Sequence, residues 1–297
     1  MKRRWLLGCA IAALLVSVAA MAGAWWFLRR AVPLPEVRVQ PQQLVNLVTR
    51  QPTGPMNVLV LGVDEEKLRT DVIILARWDP AGRRLNLVSL PRDSLVEITC
   101  PAENRACLSP DKLGHAHAYG EVVGRGPAVV TATVEQFLGV QVDHYVRLDF
   151  EGFAHVIDAL GGITLNVADD MPKIGLKAGA QLLDGQKALA YVRDRSDGQG
   201  DIGRIERTEL FLKALAERVG EGSVDDPSLL KEALPHVATD LDVGTLLALA
   251  RDWRELRHDL TMNVAFLPGR PDTYRGLWVW RVDEAGKAKL VQQYLTE

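Results

Sequence analysis

The sequence predicts an α/β fold: a three-layer α/β/α sandwich with a mixed central sheet, carried behind one N-terminal transmembrane helix. Three observations predict it. Short apolar runs bounded by glycine or turn residues alternate with segments whose apolar residues recur at helical spacing. The order of these runs is not strictly strand–helix–strand, which calls for a mixed sheet rather than a parallel one. Residues 5–28 form an uncharged run of 24 residues, longer than the roughly 20 that a bilayer core requires.

The elements follow in chain order. Trp5, Trp25 and Trp26 sit near the ends of the apolar run, and Lys2, Arg3 and Arg4 precede it. Aromatic rings at the interface and basic residues before the span favour a cytoplasmic N-terminus, with the rest of the chain outside the membrane. Two other readings are a cleaved signal peptide at Ala20-Met21-Ala22 and a lipidation site at Cys9; the run continues past the first, and too few apolar residues precede the second. Residues 31–55 carry five prolines and read as a linker. Strands are expected at 57–62, 72–77 and 84–90, the last two joined by the turn Asp79-Pro80-Ala81-Gly82. A helix opens at Gly126-Pro127 and closes at Gly139. A strand at 144–149 leads into an amphipathic helix at 150–160 that ends on Gly161-Gly162, and 163–167 is a strand. Asp184 caps a short helix, and 202–219 is a longer one. Beyond these, 241–256 reads as a helix and 263–267 and 277–282 as strands. The division is therefore an anchor at 1–30, a linker at 31–55 and one extracytoplasmic domain at 56–297.

Composition suits a globular body: 47% of the 297 residues are hydrophobic and 25% charged. The net charge of -3 hides an asymmetry. Removing the five basic residues of the first 30 positions leaves 30 basic residues against 38 acids, a net charge near -8. So acidic a domain does not suit general nucleic-acid binding, which needs a basic face. Outside the membrane run the chain has two cysteines, Cys100 and Cys107. Their proximity in an exported loop favours a disulfide, worth about 2–3 kcal/mol by loop closure.

The chemistry is expected where charged residues meet strand ends. Asp64 follows the first strand, Arg69 and Asp71 enter the second, and Arg92 and Asp93 leave the third; in open α/β sheets such edges line the ligand crevice. Further on, Arg193, Arg195, Arg204 and Arg207 surround a Gly-rich turn that opens a helix. Guanidinium groups grip phosphate oxygens in bidentate fashion, a helix start adds free N–H groups, and paired aspartates hold Mg²⁺ between phosphates. Recognition of a pyrophosphate accounts for both sets; pairing of the arginines with Asp194, Asp197 and Glu206 is the plainer account. No phosphate loop with Gly-Lys-Ser/Thr, no Gly-x-Ser-x-Gly elbow and no His-Glu-x-x-His occurs. His115 and His117 alternate as on one strand face with no evident third ligand, and they read as non-metal residues.

These segments, in this order, resemble the LytR-CpsA-Psr family. The matching pieces are Leu61-Gly62-Val63-Asp64, Arg69-Thr70-Asp71, Ser89 to Asp93, Lys112 with Ala116, Ala118 and Tyr119, Asp143 to Val146, Asp158 to Gly162, Leu183 to Gly185 with Ala188 and Leu189, and 193–207. The resemblance implies a membrane-anchored phosphotransferase that moves a glycan phosphate from a polyprenyl-pyrophosphate carrier to peptidoglycan or another envelope acceptor. It implies Mg²⁺ held by Asp64 and Asp71, and a pyrophosphate held by Arg69, Arg92, Lys112, Arg193, Arg195, Arg204 and Arg207. Arg92, Arg195, Asp201 and Arg204 would act in catalysis, Asp201 by orienting an arginine or assisting the acceptor. A hydrolase of the same pyrophosphate, or a non-catalytic polyprenyl-phosphate-binding regulator, would use the same parts. The chain departs from the family pattern at Thr208, where glutamine is common, and at Leu113-Gly114-His115, where the lysine motif usually runs on into asparagine and alanine. The prenyl chain needs an apolar cavity, for which core-like runs such as 129–138 are candidates, ordinary packing being the simpler account of any one residue.

Overall fold

The computed structural model describes residues 53–64, 66, 68–194, 201–220, 234–256 and 258–296. The anchor and nearly all of the linker lie outside these residues, and no helix among them is long and apolar enough to cross a membrane. Thr53, near the end of the expected linker, is tied to the body: its hydroxyl donates to Asp252 at 2.8 Å and accepts from the Trp78 indole at 2.8 Å.

A mixed six-stranded sheet forms the centre. β1 (Met56–Val63) pairs antiparallel with β2 (Thr70–Asp79), which pairs antiparallel with β3 (Arg84–Ser89). On the other side of β1 lies β6 (His144–Leu148), parallel to it. Two edge strands complete the order β10-β3-β2-β1-β6-β9: β10 (Thr261–Phe266) runs parallel to β3, and β9 (Val237–Thr239) antiparallel to β6. β1 is central and buried on both faces, so its sequence is an unbroken apolar run rather than an alternating one. The β2–β3 turn is held by Asp79, which accepts from the Gly82 amide at 2.9 Å and pairs with Arg84 at 2.9 Å.

Helices cover both faces. Val58 and Val60, Ile74 and Ala76, and Leu85 and Leu87 turn to one side. There they meet α3 (Phe150–Ala159), α4 (Gly185–Arg193), α5 (Asp201–Gly220) and α6 (Val243–Leu256). Leu59, Leu61, Ile73, Leu75 and Val88 turn to the other side, against α1 (Ala116–Glu121), α2 (Gly126–Leu138) and α7 (Glu284–Val291). The strand period of two is what sends successive residues to opposite layers. Helix ends follow local chemistry. Asp149 accepts from the Gly152 amide at 3.0 Å to start α3, Asp184 accepts from the Lys187 amide at 2.8 Å to start α4, and Gly139 stops α2 at φ 68°.

Small hairpins flank this body: β4 (Leu95–Val96) with β5 (Asp111–Lys112), β7 (Ile163–Val167) with β8 (Gly179–Leu183), and β11 (Gly269–Tyr274) with β12 (Leu277–Val282). The two-residue loop of the last, Arg275-Gly276, has both φ values positive, at 51° and 77°, the turn that suits strand twist. Cys100 and Cys107 are joined by a disulfide.

Two expectations are corrected. Residues 113–121 form a 3₁₀ turn running into α1 rather than a strand, so His115 and His117 do not share a strand face. Run 129–138 lies in α2 and packs on the face of the sheet opposite α3, α4 and α5.

Candidate functional site

A cavity of about 480 Å³ opens between the sheet and helices α3, α4 and α5. Its interior is apolar: Val60, Ile74 and Leu87 form the sheet wall, and Ile157, Leu189 and Leu212 the helix wall. Its mouth is charged, with Asp64, Arg69, Asp71, Arg92, Asp149 and Arg193 in the lining. The volume is in the range of small-molecule sites, and the split between a greasy interior and an ionic rim suits an amphiphile.

Strand ends place the first four charged groups. β1 stops at Val63, and the chain doubles back to β2 through a loop that closes on Asp64. The Asp64 carboxylate accepts the Leu68 amide at 2.9 Å and the Arg69 amide at 3.2 Å, and pairs with Arg69 Nε at 3.2 Å. The strand register shifts at Gly62/Val63. A Cβ on Gly62 would lie 3.0 Å from that of Val72, so glycine allows the close approach of β1 and β2 there. Asp71 follows the buried Thr70 in β2 and receives a hydrogen bond from Arg92 Nη1.

Arg92 is held from behind. Its Nε lies 3.3 Å from Asp93, which is 3% exposed, and Lys112 Nζ lies 2.9 Å from the other Asp93 oxygen. The Gly114 amide donates to the Arg92 carbonyl at 2.7 Å. A Cβ at 114 would come within 2.9 Å of the Thr70 carbonyl and 3.1 Å of the Arg92 Cβ. The departure from the family pattern at Gly114 therefore has a physical counterpart: two strand ends close over a residue without a side chain.

The helix side supplies the rest. Arg193, exposed at the end of α4, stacks its guanidinium over the Phe150 ring at 4.1 Å from the centroid. Thr208 of α5 lines the cavity and also a recess of about 30 Å³ behind Asp71 and Arg92.

The structure thus brings Asp64, Asp71, Arg69, Arg92 and Arg193 to one mouth. It does not bring Lys112 or Arg207 to the cavity wall, where a pyrophosphate-binding role would put them. Lys112 reaches Asp93 because β5 carries it alongside the segment that leaves β3. Arg207 is buried and donates through Nη2 to the Asp194 carbonyl, next to Arg193. Arg195 and the side chains of Asp201 and Arg204 lie outside the described residues. Asp149 and Phe150 were missed as site residues, because the sequence shows the first only as a strand end and the second only as the start of an amphipathic helix; Asp93 was expected at the crevice edge, but not its pairing with Lys112. Thr208 stood out only as a departure.

Among the described residues no group of three or more His, Cys, Asp or Glu side chains is arranged to hold a metal ion. Two carboxylates at one mouth nevertheless fit Mg²⁺, which takes one or two carboxylates and completes its shell with water and substrate phosphates.

Comparison with known proteins finds similar chains over most of this one. The chain is 32% identical over 238 residues to the polyisoprenyl-teichoic acid–peptidoglycan teichoic acid transferase TagU of Oceanobacillus iheyensis, covering 77% of this chain and 72% of that one. It is 31% identical over 266 residues to the transferase of the same name from Enterococcus faecalis, covering 84% and 80%. The crystal structure of B. subtilis TagV superposes with a TM-score of 0.64 at 25% identity, over 82% of this chain and 97% of that one. The LytR_cpsA_psr family matches residues 34–295, most of the chain, and the chain belongs to the LytR-CpsA-Psr family.

Proposed function

We propose that this protein is a phosphotransferase that moves a glycan phosphate from a polyprenyl-pyrophosphate carrier to peptidoglycan or another envelope acceptor. The observation that carries the reading is a cavity that joins an ionic mouth to an apolar interior. The mouth suits a pyrophosphate and the interior a prenyl chain, joined as they are in such a carrier. The transferase names of the relatives support the same class of reaction.

In the reaction, an acceptor hydroxyl oxygen bonds to the phosphorus that carries the glycan. The bond from that phosphorus to the bridging oxygen breaks, polyprenyl phosphate leaves, and the hydroxyl gives up its proton. Such a transfer needs positioning and charge neutralisation more than a protein nucleophile. Arg69, Arg92 and Arg193 would bind the phosphate oxygens as charge builds on the leaving group. Phe150 orients Arg193, and the chain Lys112–Asp93 orients Arg92. The apolar walls exclude water from the lipid end. Asp64 and Asp71 would hold Mg²⁺, which when bound supplies further neutralisation of the pyrophosphate. Arg195, Asp201 and Arg204 keep the catalytic roles that the resemblance assigns them. The apolar run at 5–28 would anchor the chain with its N-terminus in the cytoplasm and this domain outside, beside its lipid substrate.

Full-length protein given a labelled polyprenyl-pyrophosphate-linked glycan and peptidoglycan should transfer label to the peptidoglycan. Loss of one mouth arginine should slow transfer by roughly 10²–10³, by analogy with a lost oxyanion donor. Release of polyprenyl phosphate without any attached glycan would overturn the transferase reading in favour of a hydrolase. Unchanged attachment by Asp71→Ala and Arg92→Ala would leave a binding protein.

A further inference from the structure

His117 is fully buried in α1 and takes no part in the chemistry above. Its Nδ1 lies 2.8 Å from the Leu68 carbonyl oxygen. A carbonyl can only accept, so Nδ1 carries the proton. On the far side of the ring, Nε2 faces Arg147 Nη1 at 3.5 Å and Glu121 Oε1 at 3.4 Å, and those two pair with each other at 3.3 Å. Burial pushes the imidazole pKa below its usual value, against the opposing pull of the Leu68 carbonyl and Glu121. With Nδ1 carrying the proton and burial opposing a second one, Nε2 is left to accept from Arg147. The cluster joins α1 to two other elements, β6 and α2. Arg147 stands on β6 opposite Leu61 of β1, Glu121 ends α1, and Gly126 opens α2, where a Cβ would fall 2.8 Å from His117 Nε2.

All of this fixes one backbone atom, the Leu68 oxygen. Leu68 belongs to the loop whose amides aim the Asp64 carboxylate, and Arg69, the next residue, carries a mouth arginine. The Leu68 side chain is 44% exposed, so burial of that side chain does little to hold the loop. We propose that His117 is the positioning residue of the 64–69 loop, which by donating to the Leu68 carbonyl fixes the direction of Asp64 and Arg69 at the cavity mouth. The inference rests on the proposed function for its consequence in turnover, but not for its consequence in the loop.

The two are separated by measuring both. In full-length protein without substrate, hydrogen exchange of the peptide spanning 64–70 reports the loop. The amide nitrogen of asparagine reaches the position of Nδ1, and that of glutamine the position of Nε2. His117→Asn should therefore retain protection, while His117→Gln and His117→Phe lose it by about tenfold, the worth of one hydrogen bond of roughly 1.4 kcal/mol. The KM for the lipid-linked glycan should rise by a similar factor in His117→Gln, with a smaller change in kcat. Should His117→Phe fail to fold, the asparagine and glutamine pair still decides the matter. Equal protection in both of those variants, or equal loss in both, overturns the positioning role. Lost protection with unchanged KM supports the positioning role and counts against the function proposed for Asp64 and Arg69.

Discussion

Replacing Lys112 with methionine separates two roles for a residue that the family resemblance assigns to the pyrophosphate. In the structure its ammonium lies 2.9 Å from Asp93, whose side chain is 5% exposed, while its own is 18% exposed. Breaking a buried pair by removing one partner costs roughly 3–5 kcal/mol, because a charge is left without its compensation. Here Arg92 Nε stays 3.3 Å from the same carboxylate, which places the loss lower, at about 2–3 kcal/mol. For a domain of this size each kcal/mol lowers Tm by roughly 2–4 °C, so the midpoint should fall by about 4–12 °C. Activity should fall too, because Asp93 then draws Arg92 away from Asp71, but by no more than about tenfold, or 1.4 kcal/mol. Thermal unfolding and initial rates of the same full-length preparation check both numbers. A Tm unchanged from the parent, with kcat/KM down a hundredfold, would refute the reasoning and return Lys112 to the substrate.

Three further outcomes are expected. Phe150→Leu removes the ring under Arg193, a contact at 4.1 Å worth about 0.5–2 kcal/mol; the KM for the lipid-linked substrate should rise roughly 2- to 30-fold, and an unchanged KM would show that the stack does not orient the arginine. Leu212→Trp puts a bulky ring into the apolar interior of the cavity; direct binding of long-chain polyprenyl phosphate should be lost while Tm stays close to the parent's, and undiminished binding would place the chain elsewhere. The third concerns pH. Burial pushes the Asp111 carboxyl up, but hydrogen bonds from Tyr119 at 2.6 Å and from His115 at 2.9 Å outweigh it and hold the carboxyl below its usual value. A depressed carboxyl contributes stability above its unfolded pKa of about 3.9 that is lost as pH falls through the folded value. Burial and the same contact push the Tyr119 hydroxyl up to about 12, so its contribution is present below about 10 and is lost as pH rises through the folded value. Asp111→Asn should flatten the acid limb of unfolding below pH ~4 and bring the tyrosinate titration down toward 10; unchanged curves at both ends would sink the coupling.

Much of the fold was legible because its causes are local. The apolar run of β1, the Asp184 cap, the Gly139 stop and the helical spacing of 202–219 each act within a few residues of themselves. Residues 113–121 were not legible. Their His-x-His alternation has the period of a strand, and only long-range contacts, such as His117 to Leu68 and Leu113 to Ser94, make a turn and a helix of them. β9 has three residues and exists through its pairing with β6. The side of the sheet that α2 covers is a property of the connection, which explains why run 129–138 was a candidate for a cavity on the opposite face. The site divides in the same way. Positions at strand ends, such as Asp64, Asp71 and Arg92, follow from strand boundaries. The choice of partner does not: nothing local to Lys112 says that it meets Asp93, nor to Arg207 that it meets a backbone carbonyl.

Partner choice also bears on why an acidic domain suits an anionic substrate. Three aspartates and three arginines line the mouth among the described residues, so the local charge is close to balanced while the exported part as a whole is near -8. Two ion pairs stand among them, Arg69 with Asp64 and Arg92 with Asp71. Arg92 is mostly buried and its pair holds it firmly, whereas Arg69 is 56% exposed, where an ion pair contributes little. On the proposed function a pyrophosphate competes for the same donors, and each arginine that turns to it leaves a carboxylate facing a new negative charge. Two carboxylates and a pyrophosphate together are what a divalent cation binds. On the proposed function the arrangement would tie the two ligands to each other: Asp64 and Asp71 would bind a cation least well while the arginines hold them, and better once the lipid carrier takes the arginines away. By linkage the carrier must gain from the cation by the same factor. On the proposed function that reciprocity runs through the two ion pairs, Arg69 with Asp64 and Arg92 with Asp71.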